Sequence, residues 1–530
     1  MNREEMLRRL EEGSEWDVLV VGGGATGLGV AVDAATRGYR VLLLEQADFA
    51  SATSSRSTKL VHGGVRYLEQ GDLRLVMEAL HERGLLHANA PHVARNLPFI
   101  VPRYKWWEAP FYGVGLKTYD LLAGRLNLAP SRILDREETI ARIPNVETRD
   151  LLGGVMYFDG QFDDARMAVT LAQSAVDQGA CLLNYARVTG LVHSGGTIAG
   201  AEVEDLESGT RHEVSAKVVV NAAGIFADAV RRLDDPAAAA AVQPSQGVHL
   251  VFDGAFLAGK TAIMVPHTDD GRVLFVIPWH GRALVGTTDT AMPQPEMEPR
   301  PLPDEIEFIL RNAGRYLGRD PSRKDVLCAF AGQRPLVRVP GKTATKELSR
   351  SHEVLISSAG LVTIVGGKWT TYRRMAQDTM DHAIEVGGLP LRPCATETLR
   401  LHGWKPSSPE SPEDPMRLYG TDLEGLESLE AERPDLREAL HPALPYRRST
   451  IVWAARHEMA RTLEDVLARR TRSLLLDVKA SVDAAPEAAL LLARELGRDA
   501  AWAETQVEAY HRLADGYLVP SPSAGRPGRA

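Results

Sequence analysis

The feature that most restricts this chain is a glycine pattern held between two regular elements near its start. Trp16–Val21 is short, apolar and β-branched, the composition of a buried parallel strand. Gly22-x-Gly24-x-x-Gly27 follows, then a helical pattern over 28–37, a stop at Gly38, and a second strand over 40–44. In such a βαβ unit each glycine has its own reason. Gly22 permits the tight turn, Gly24 lets the backbone approach a diphosphate, and Gly27 allows close helix–strand packing, while the helix N-terminus stabilises the phosphate charge. Glu45 closes the second strand, at the distance where an acid meets a ribose hydroxyl. A lone glycine pattern is weak, but strand, turn, helix, strand and acid in register make a strong signal. The acid favours FAD or NAD over NADP. The extreme N-terminal position, with no second fingerprint, favours FAD.

Further segments suit the same sheet. One is 217–221, followed by Ala222-Ala223-Gly224, and another is 361–365, followed by Gly366-Gly367. The reading is an α/β chain: a discontinuous FAD-binding, Rossmann-like domain over 15–90, 160–235 and 355–395, with an inserted β-rich substrate domain over 91–159 and 236–354. Alternating strands such as 248–252 and 273–277 mark the insert, and the alanine run 237–241 is a loop or a helix start. Pro406, Pro412 and Pro415 mark a linker. After it come helical patterns over 449–472, 486–496 and 501–517, an all-α C-terminal domain over 396–517. The Pro-, Ser- and Gly-rich residues 518–530 read as a disordered tail.

The length of 530 residues favours several domains over one. The net charge of -9 argues against a nucleic-acid partner. Cys181, Cys328 and Cys394 lie far apart, so neither a disulfide framework nor a zinc site is expected and a reducing cytoplasm fits. His457-Glu458 starts like a zinc helix motif, but Arg461 stands where the second histidine is needed, so no metal is expected. The charged, helical residues 1–12 lack the apolar core of a signal peptide, and no segment reaches the ~20 apolar residues that span a bilayer.

The polar run Ala52-Thr-Ser-Ser-Arg-Ser-Thr-Lys59 follows the ribose-binding acid. Thr53, Ser54, Ser55, Ser57 and Lys59 can donate to the diphosphate and ribityl chain of a flavin; a solvated Ser/Thr turn is the competing explanation. The run continues to His62-Gly-Gly-Val-Arg66-Tyr67-Leu68. Thr53 to Glu69 as a whole resembles the flavin-proximal signature of the FAD-dependent, quinone-linked glycerol-3-phosphate dehydrogenases. The resemblance extends through Asp159–Arg166, Val220–Gly224, Phe275–Trp279, Gly286–Asp289, Gly332–Leu336, Gly366–Arg373, Val452–Arg461 and Asp465–Arg472, all but about 15 residues at either end.

That resemblance implies oxidation of sn-glycerol 3-phosphate to dihydroxyacetone phosphate, with hydride passing from C2 to FAD and electrons onward to a membrane quinone. It places Arg66, Tyr67, Arg334, Arg350, Lys368 and His249 in the pocket. Arginine suits bidentate phosphate binding, so Arg66, Tyr67 and Arg350 are expected on the phosphate, and Arg334 and Lys368 beside the developing alkoxide. His249 is the candidate base, with a structural histidine between Val248 and Leu250 as the competing explanation. His62, Gly224, Gly367 and Thr370 are expected beside the cofactor, and His62 leaves covalent attachment open. Asp163 or Asp164 is an N-cap candidate, and Trp369 and Tyr372 suit the core as well as the flavin. The aromatic and basic stretch 104–119 is a candidate monotopic contact with the cytoplasmic membrane. A dioxygen-linked oxidase, an amine or hydroxy-acid oxidase, and a non-catalytic flavoprotein subunit remain the alternatives, and a homo-oligomer is open.

Overall fold

The computed structural model describes residues 1–13, 15–64, 73–126, 128–338, 351–406 and 414–519. Arg66, Tyr67, Arg350, most of the expected linker and the tail from 520 lie outside these residues.

Trp16–Val21 has parallel partners on both sides, Val41–Leu44 and Arg211–Asn221. Cys181–Leu183 extends the sheet beyond Val41–Leu44, and Val362–Gly366 extends it beyond Arg211–Asn221, with His352–Ile356 antiparallel at that edge. Strands covered on both faces must be apolar throughout, and Val18, Leu19, Val20, Val41, Leu42 and Leu43 are all fully buried. The helix Ala25–Thr36 packs between Asp164–Asp177 and Tyr372–Val386. It starts three residues before the apolar periodicity does, because Gly24 is its N-cap and its first turn faces a cavity rather than the core.

The second sheet is mainly antiparallel and runs from Thr290–Ala291 through Val242–Asp253, Arg282–Gly286, Leu274–Trp279, Ala262–Val265, Ala94–Arg103 and Gly153–Phe162 to Leu60–Val61. Val326–Val337 pairs along Val242–Asp253. The period of two along a strand explains what this sheet does. Val248, Leu250 and Phe252 point to one face and pack with Ile306, Ile309 and Leu310 of the helix Pro303–Gly314. Each contributes about 1.5–3 kcal/mol relative to an exposed side chain. On the other face Val251, Ile277, Leu284 and Phe330 meet the C-terminal helices, while Gly247 and His249 open into the cavity. The alanine run is a loop; the helix there, Ala227–Asp234, precedes it.

The C-terminal region is helical, with boundaries that differ from the periodicity. The expected helix over 449–472 ends at His457, Met459 takes a left-handed φ of 53°, and a π-turn follows at Asp465–Arg470. Asp465 breaks the run by accepting the Arg461 and Thr462 backbone N–H groups. Pro486 does not start a helix but lies inside Val478–Glu495, which Asp477 caps. The buried alanines 484, 485, 488 and 489 pack that helix closely enough to outweigh the lost backbone bond.

This region is tied to the first sheet by charge. Buried Asp48 accepts from Arg469 Nε at 2.6 Å and Arg470 Nη1 at 2.6 Å, and Glu458 from Arg166 at 2.5 Å. His402 bridges Asp177 at 2.7 Å and Asp422 at 3.0 Å. Burial opposes its charge, but the two carboxylates prevail and raise its pKa from 6.5 to about 9. A raised folded pKa contributes stability that is complete below 6.5 and lost as the pH rises through about 9. The gap in melting temperature between wild type and His402→Gln is therefore expected to be largest near pH 6 and to close above pH ~9.5. A gap that stays constant with pH would remove the ion pairs from the explanation.

The aromatic stretch 104–119 divides into two sets. Tyr112 and Tyr119 are buried, and Tyr104 donates to the Glu147 carbonyl. Trp106 and Leu121 are 81% exposed, and Trp107 and Ile133 also face outward. Among the described residues no helix is long and apolar enough to cross a membrane.

Candidate active site

A cavity of about 720 Å³ opens where the parallel strands end against the second sheet. Gly22, Gly24, Glu45 and Gly224 line one side. A Cβ on Gly27 would collide with the Gly22 carbonyl, so this residue sets the helix-to-turn distance from behind the wall. Gly22 and Gly224 have φ of 110° and 57°, the left-handed region that glycine tolerates. Gly24 offers no side-chain cap, and the first turn of Ala25–Thr36 carries no acid, so the positive end of the helix faces the cavity. Glu45 is buried. Its Oε2 accepts from Gly23 N at 2.6 Å and its Oε1 from Ala47 N at 2.8 Å. Burial pushes the carboxyl up from its usual range and these two donors oppose the push. Each oxygen keeps a lone pair for a hydroxyl. Val188, Val230 and Leu233 give the far end an apolar wall. This glycine cradle, helix end, acid and apolar wall fit the diphosphate, ribose and adenine of FAD.

The loop 53–59 is sorted by partners far away in the chain. Thr53, Ser54 and Ser57 line the cavity. Ser54 Oγ accepts from Ala25 N at 2.9 Å, Thr53 Oγ1 donates to the Gln333 carbonyl at 2.6 Å, and Trp369 Nε1 donates to the Ser54 carbonyl at 2.9 Å. Ser55 and Lys59, also expected beside the cofactor, are buried and do not line the cavity. Lys59 Nζ donates to Asp164 at 2.7 Å and to the Ser55 carbonyl at 2.8 Å. Burial pulls its pKa down to about 8, against the raising pull of Asp164. Asp164 also accepts from Ser57 N and Oγ, at 2.9 and 2.8 Å. From the C-terminal region, Arg472 Nη2 donates to the Ser55 carbonyl at 2.6 Å and to Asp164 at 3.2 Å. Asp163 is the N-cap, accepting from Arg166 N, so the adjacent Asp164 is free to anchor the loop.

The opposite side of the cavity is built on Val242–Asp253 and Val326–Val337. Ser245 lies opposite Arg334, Gly247 opposite Gly332, and His249 opposite Phe330. A Cβ on Gly247 would collide with the Arg334 guanidinium, and one on Gly332 would lie 2.9 Å from Arg56. The missing side chain at Gly247 thus lets the guanidinium fold over the strand, two residues from the imidazole. Arg334 is 27% exposed, donates to the Thr288 carbonyl at 3.3 Å, and lies 3.7 Å from Asp289. His249 is buried, its ring 5.0 Å from Phe330 in a stack and its Nε2 2.9 Å from Thr58 Oγ1. Burial, with Lys59 and Arg334 adding to it, holds its pKa well below 6.5. Lys368, Gly367, Thr370 and His62 also line the cavity, and Thr370 Oγ1 accepts from His62 N at 3.3 Å.

Thr58, Arg56 and Trp369 also line the cavity, and Asp164 and Arg472 hold its loop. No motif singled out Thr58, Arg56 or Arg472. The polarity of 52–59 marks the loop, but which of its side chains face inward depends on Asp164 and Arg472.

Comparison with known proteins agrees with this geometry. Residues 17–373 match the family described as FAD dependent oxidoreductase, and residues 359–503 match the C-terminal domain of alpha-glycerophosphate oxidase. The mitochondrial glycerol-3-phosphate dehydrogenase of Homo sapiens is 40% identical, over 97% of this chain and 75% of the human one. The structure of a glycerol-3-phosphate dehydrogenase from Bacillus halodurans complexed with FAD superposes with a TM-score of 0.78 at 28% identity, covering 98% of each chain. The L-alpha-glycerophosphate oxidase of Mycoplasma pneumoniae shares the fold at 18% identity and a TM-score of 0.54, over 73% of this chain and 98% of that one. With two fifths of its residues shared along nearly its whole length, the chain belongs to the FAD-dependent glycerol-3-phosphate dehydrogenase family.

Proposed function

We propose that this protein oxidises sn-glycerol 3-phosphate to dihydroxyacetone phosphate and delivers the electrons to a membrane quinone. The observation that carries this reading is that Arg334, folded over Gly247, and the Thr58–His249 pair stand two residues apart along one strand on the wall of the cavity that fits FAD. Two residues along a strand span about 7 Å, the scale of a three-carbon polyol phosphate. Bound FAD supplies the two-electron acceptor for the C2 hydride. Arg334 and Lys368 stabilise the negative charge that grows on the C2 oxygen as its hydroxyl proton passes to solvent in the open cavity. Arg66, Tyr67 and Arg350 bind the phosphate. The outward-facing Trp106, Trp107, Leu121 and Ile133, with exposed Lys117 and Arg132 beside them in the chain, suit a monotopic membrane contact that brings the protein to its quinone.

Anaerobic mixing of the FAD-loaded protein with sn-glycerol 3-phosphate is expected to bleach the flavin absorbance. Colour should return rapidly with a soluble quinone and slowly with air. Rapid return in air would make the protein an oxidase, and the absence of bleaching would overturn the substrate assignment.

A further inference from the structure

We infer that Thr58 presents a hydroxyl donor to the oxygen of the reacting carbon, and that His249 is the positioning residue that holds Thr58 in this state. The inference rests on the reading of the cavity as a site of polyol-phosphate oxidation.

The reasoning starts from the hydrogen-bonding capacity of His249. A neutral imidazole has one donor and one acceptor nitrogen. Nε2 meets Thr58 Oγ1 at 2.9 Å, whereas Nδ1 is buried and among the described residues no protein group meets it. The ring has little freedom to turn. It stacks on Phe330, with an interplanar angle of 15°, and fills the space over Gly286, where a Cβ would collide with it. A buried N–H without a partner is the costlier of the two arrangements. The proton therefore sits on Nε2, and Nε2–H donates to Thr58 Oγ1. The Thr58 oxygen is then an acceptor toward the histidine, and its own O–H is left to point elsewhere. Thr58 lines the cavity, as Arg334 does, so the hydroxyl is directed there.

A free proton acceptor would require a lone pair on Nε2, and hence the proton on partnerless Nδ1. It would also require an imidazolium close to the charges of Lys59 and Arg334, in a buried site. Both conditions are unfavourable here. The arrangement instead makes Thr58 a donor on the same cavity wall as Arg334, the kind of group that stabilises an alkoxide. No proton transfer is assigned to His249.

Glutamine separates these roles, because its amide N–H reaches the Nε2 position but accepts no proton at neutral pH. In the full-length, FAD-loaded protein, the limiting rate constant of anaerobic flavin reduction by sn-glycerol 3-phosphate is the primary readout. Thr58→Val is expected to lower it by about 10²-fold, the scale of one lost donor to a developing oxyanion, with FAD content retained. Thr58→Ser should restore the rate to within about tenfold of wild type, a difference of under ~1.4 kcal/mol in the barrier. His249→Gln should also stay within that range, while His249→Leu, which cannot donate, should fall with Thr58→Val. A His249→Gln protein as slow as His249→Leu, beside a Thr58→Val protein near wild type, overturns the inference. A second measurement needs no substrate. In protein with 15N-labelled histidine rings, the His249 signals, identified by their loss in His249→Gln, should report a protonated Nε2 and an unprotonated Nδ1; the reverse overturns the inference. If wild type is not reduced by sn-glycerol 3-phosphate, the substrate reading fails, and the nitrogen signals still decide the state of His249.

Discussion

Arg472→Ala is expected to lose roughly 3–5 kcal/mol of stability, the scale of breaking a buried ion pair, and to release FAD. Arg472 is almost fully buried, donates to Asp164 and to the Ser55 carbonyl, and also reaches the Ala468 carbonyl at 3.0 Å. Among the described residues, its removal leaves the Ser55 carbonyl and Asp164 with Lys59 as the remaining cation. The loop that loses this support carries Ser54, Ser57 and Thr58 on the cavity wall. Urea unfolding and the flavin-to-protein ratio after gel filtration measure the two effects. An unchanged midpoint together with full flavin would mean that the loop holds itself, and that the C-terminal region is an accessory to the site.

Arg334→Gln is expected to lower kcat/KM by about 10²–10³, the range observed on removing one donor to a developing oxyanion, while FAD stays bound. The side chain is anchored by the Thr287–Thr288 segment and by an acid. Its bonds to the Thr288 carbonyl and Thr287 hydroxyl are long, at 3.3 Å, and Asp289 stands 3.7 Å away. Asp289 is itself engaged by the Ser245 hydroxyl. These contacts orient the guanidinium on the cavity wall, where a planar, permanently charged group suits a growing oxyanion. Steady-state assays with a quinone acceptor separate the outcomes. A rise in KM alone would place Arg334 on the phosphate, and loss of bound FAD would place it on the cofactor.

Local signals carried a large part of this fold. The N-terminal βαβ unit follows from a run of β-branched residues, three glycines and one acid, all within 30 residues. His249 attracts notice as a polar side chain alternating with Val248 and Leu250, and the structure gives the reason: those neighbours face the helix Pro303–Gly314 while His249 faces the cavity. The loop 53–59 shows where local reading stops. Thr53, Ser54, Ser55, Ser57 and Lys59 are alike as polar residues, yet Ser55 and Lys59 turn inward because Asp164 and Arg472 meet them there, from 105 and 417 residues away. Pro486 is misread for a related reason, since a proline ordinarily starts a helix but buried alanines carry this one through it. Thr58 is one more polar residue of that run, and what distinguishes it is its contact with His249, 191 residues away.

The salt bridges of Asp48 also set a timetable. This carboxylate lies four residues beyond the strand Val41–Leu44, and its cations are Arg469 and Arg470, 421 and 422 residues later. A ribosome adding about 5–20 residues per second needs roughly 20–80 s to cover that distance. Throughout that interval the nascent nucleotide turn carries a carboxylate that cannot be buried without its partners. The packing of the C-terminal region against this turn therefore waits until Arg470 has been made.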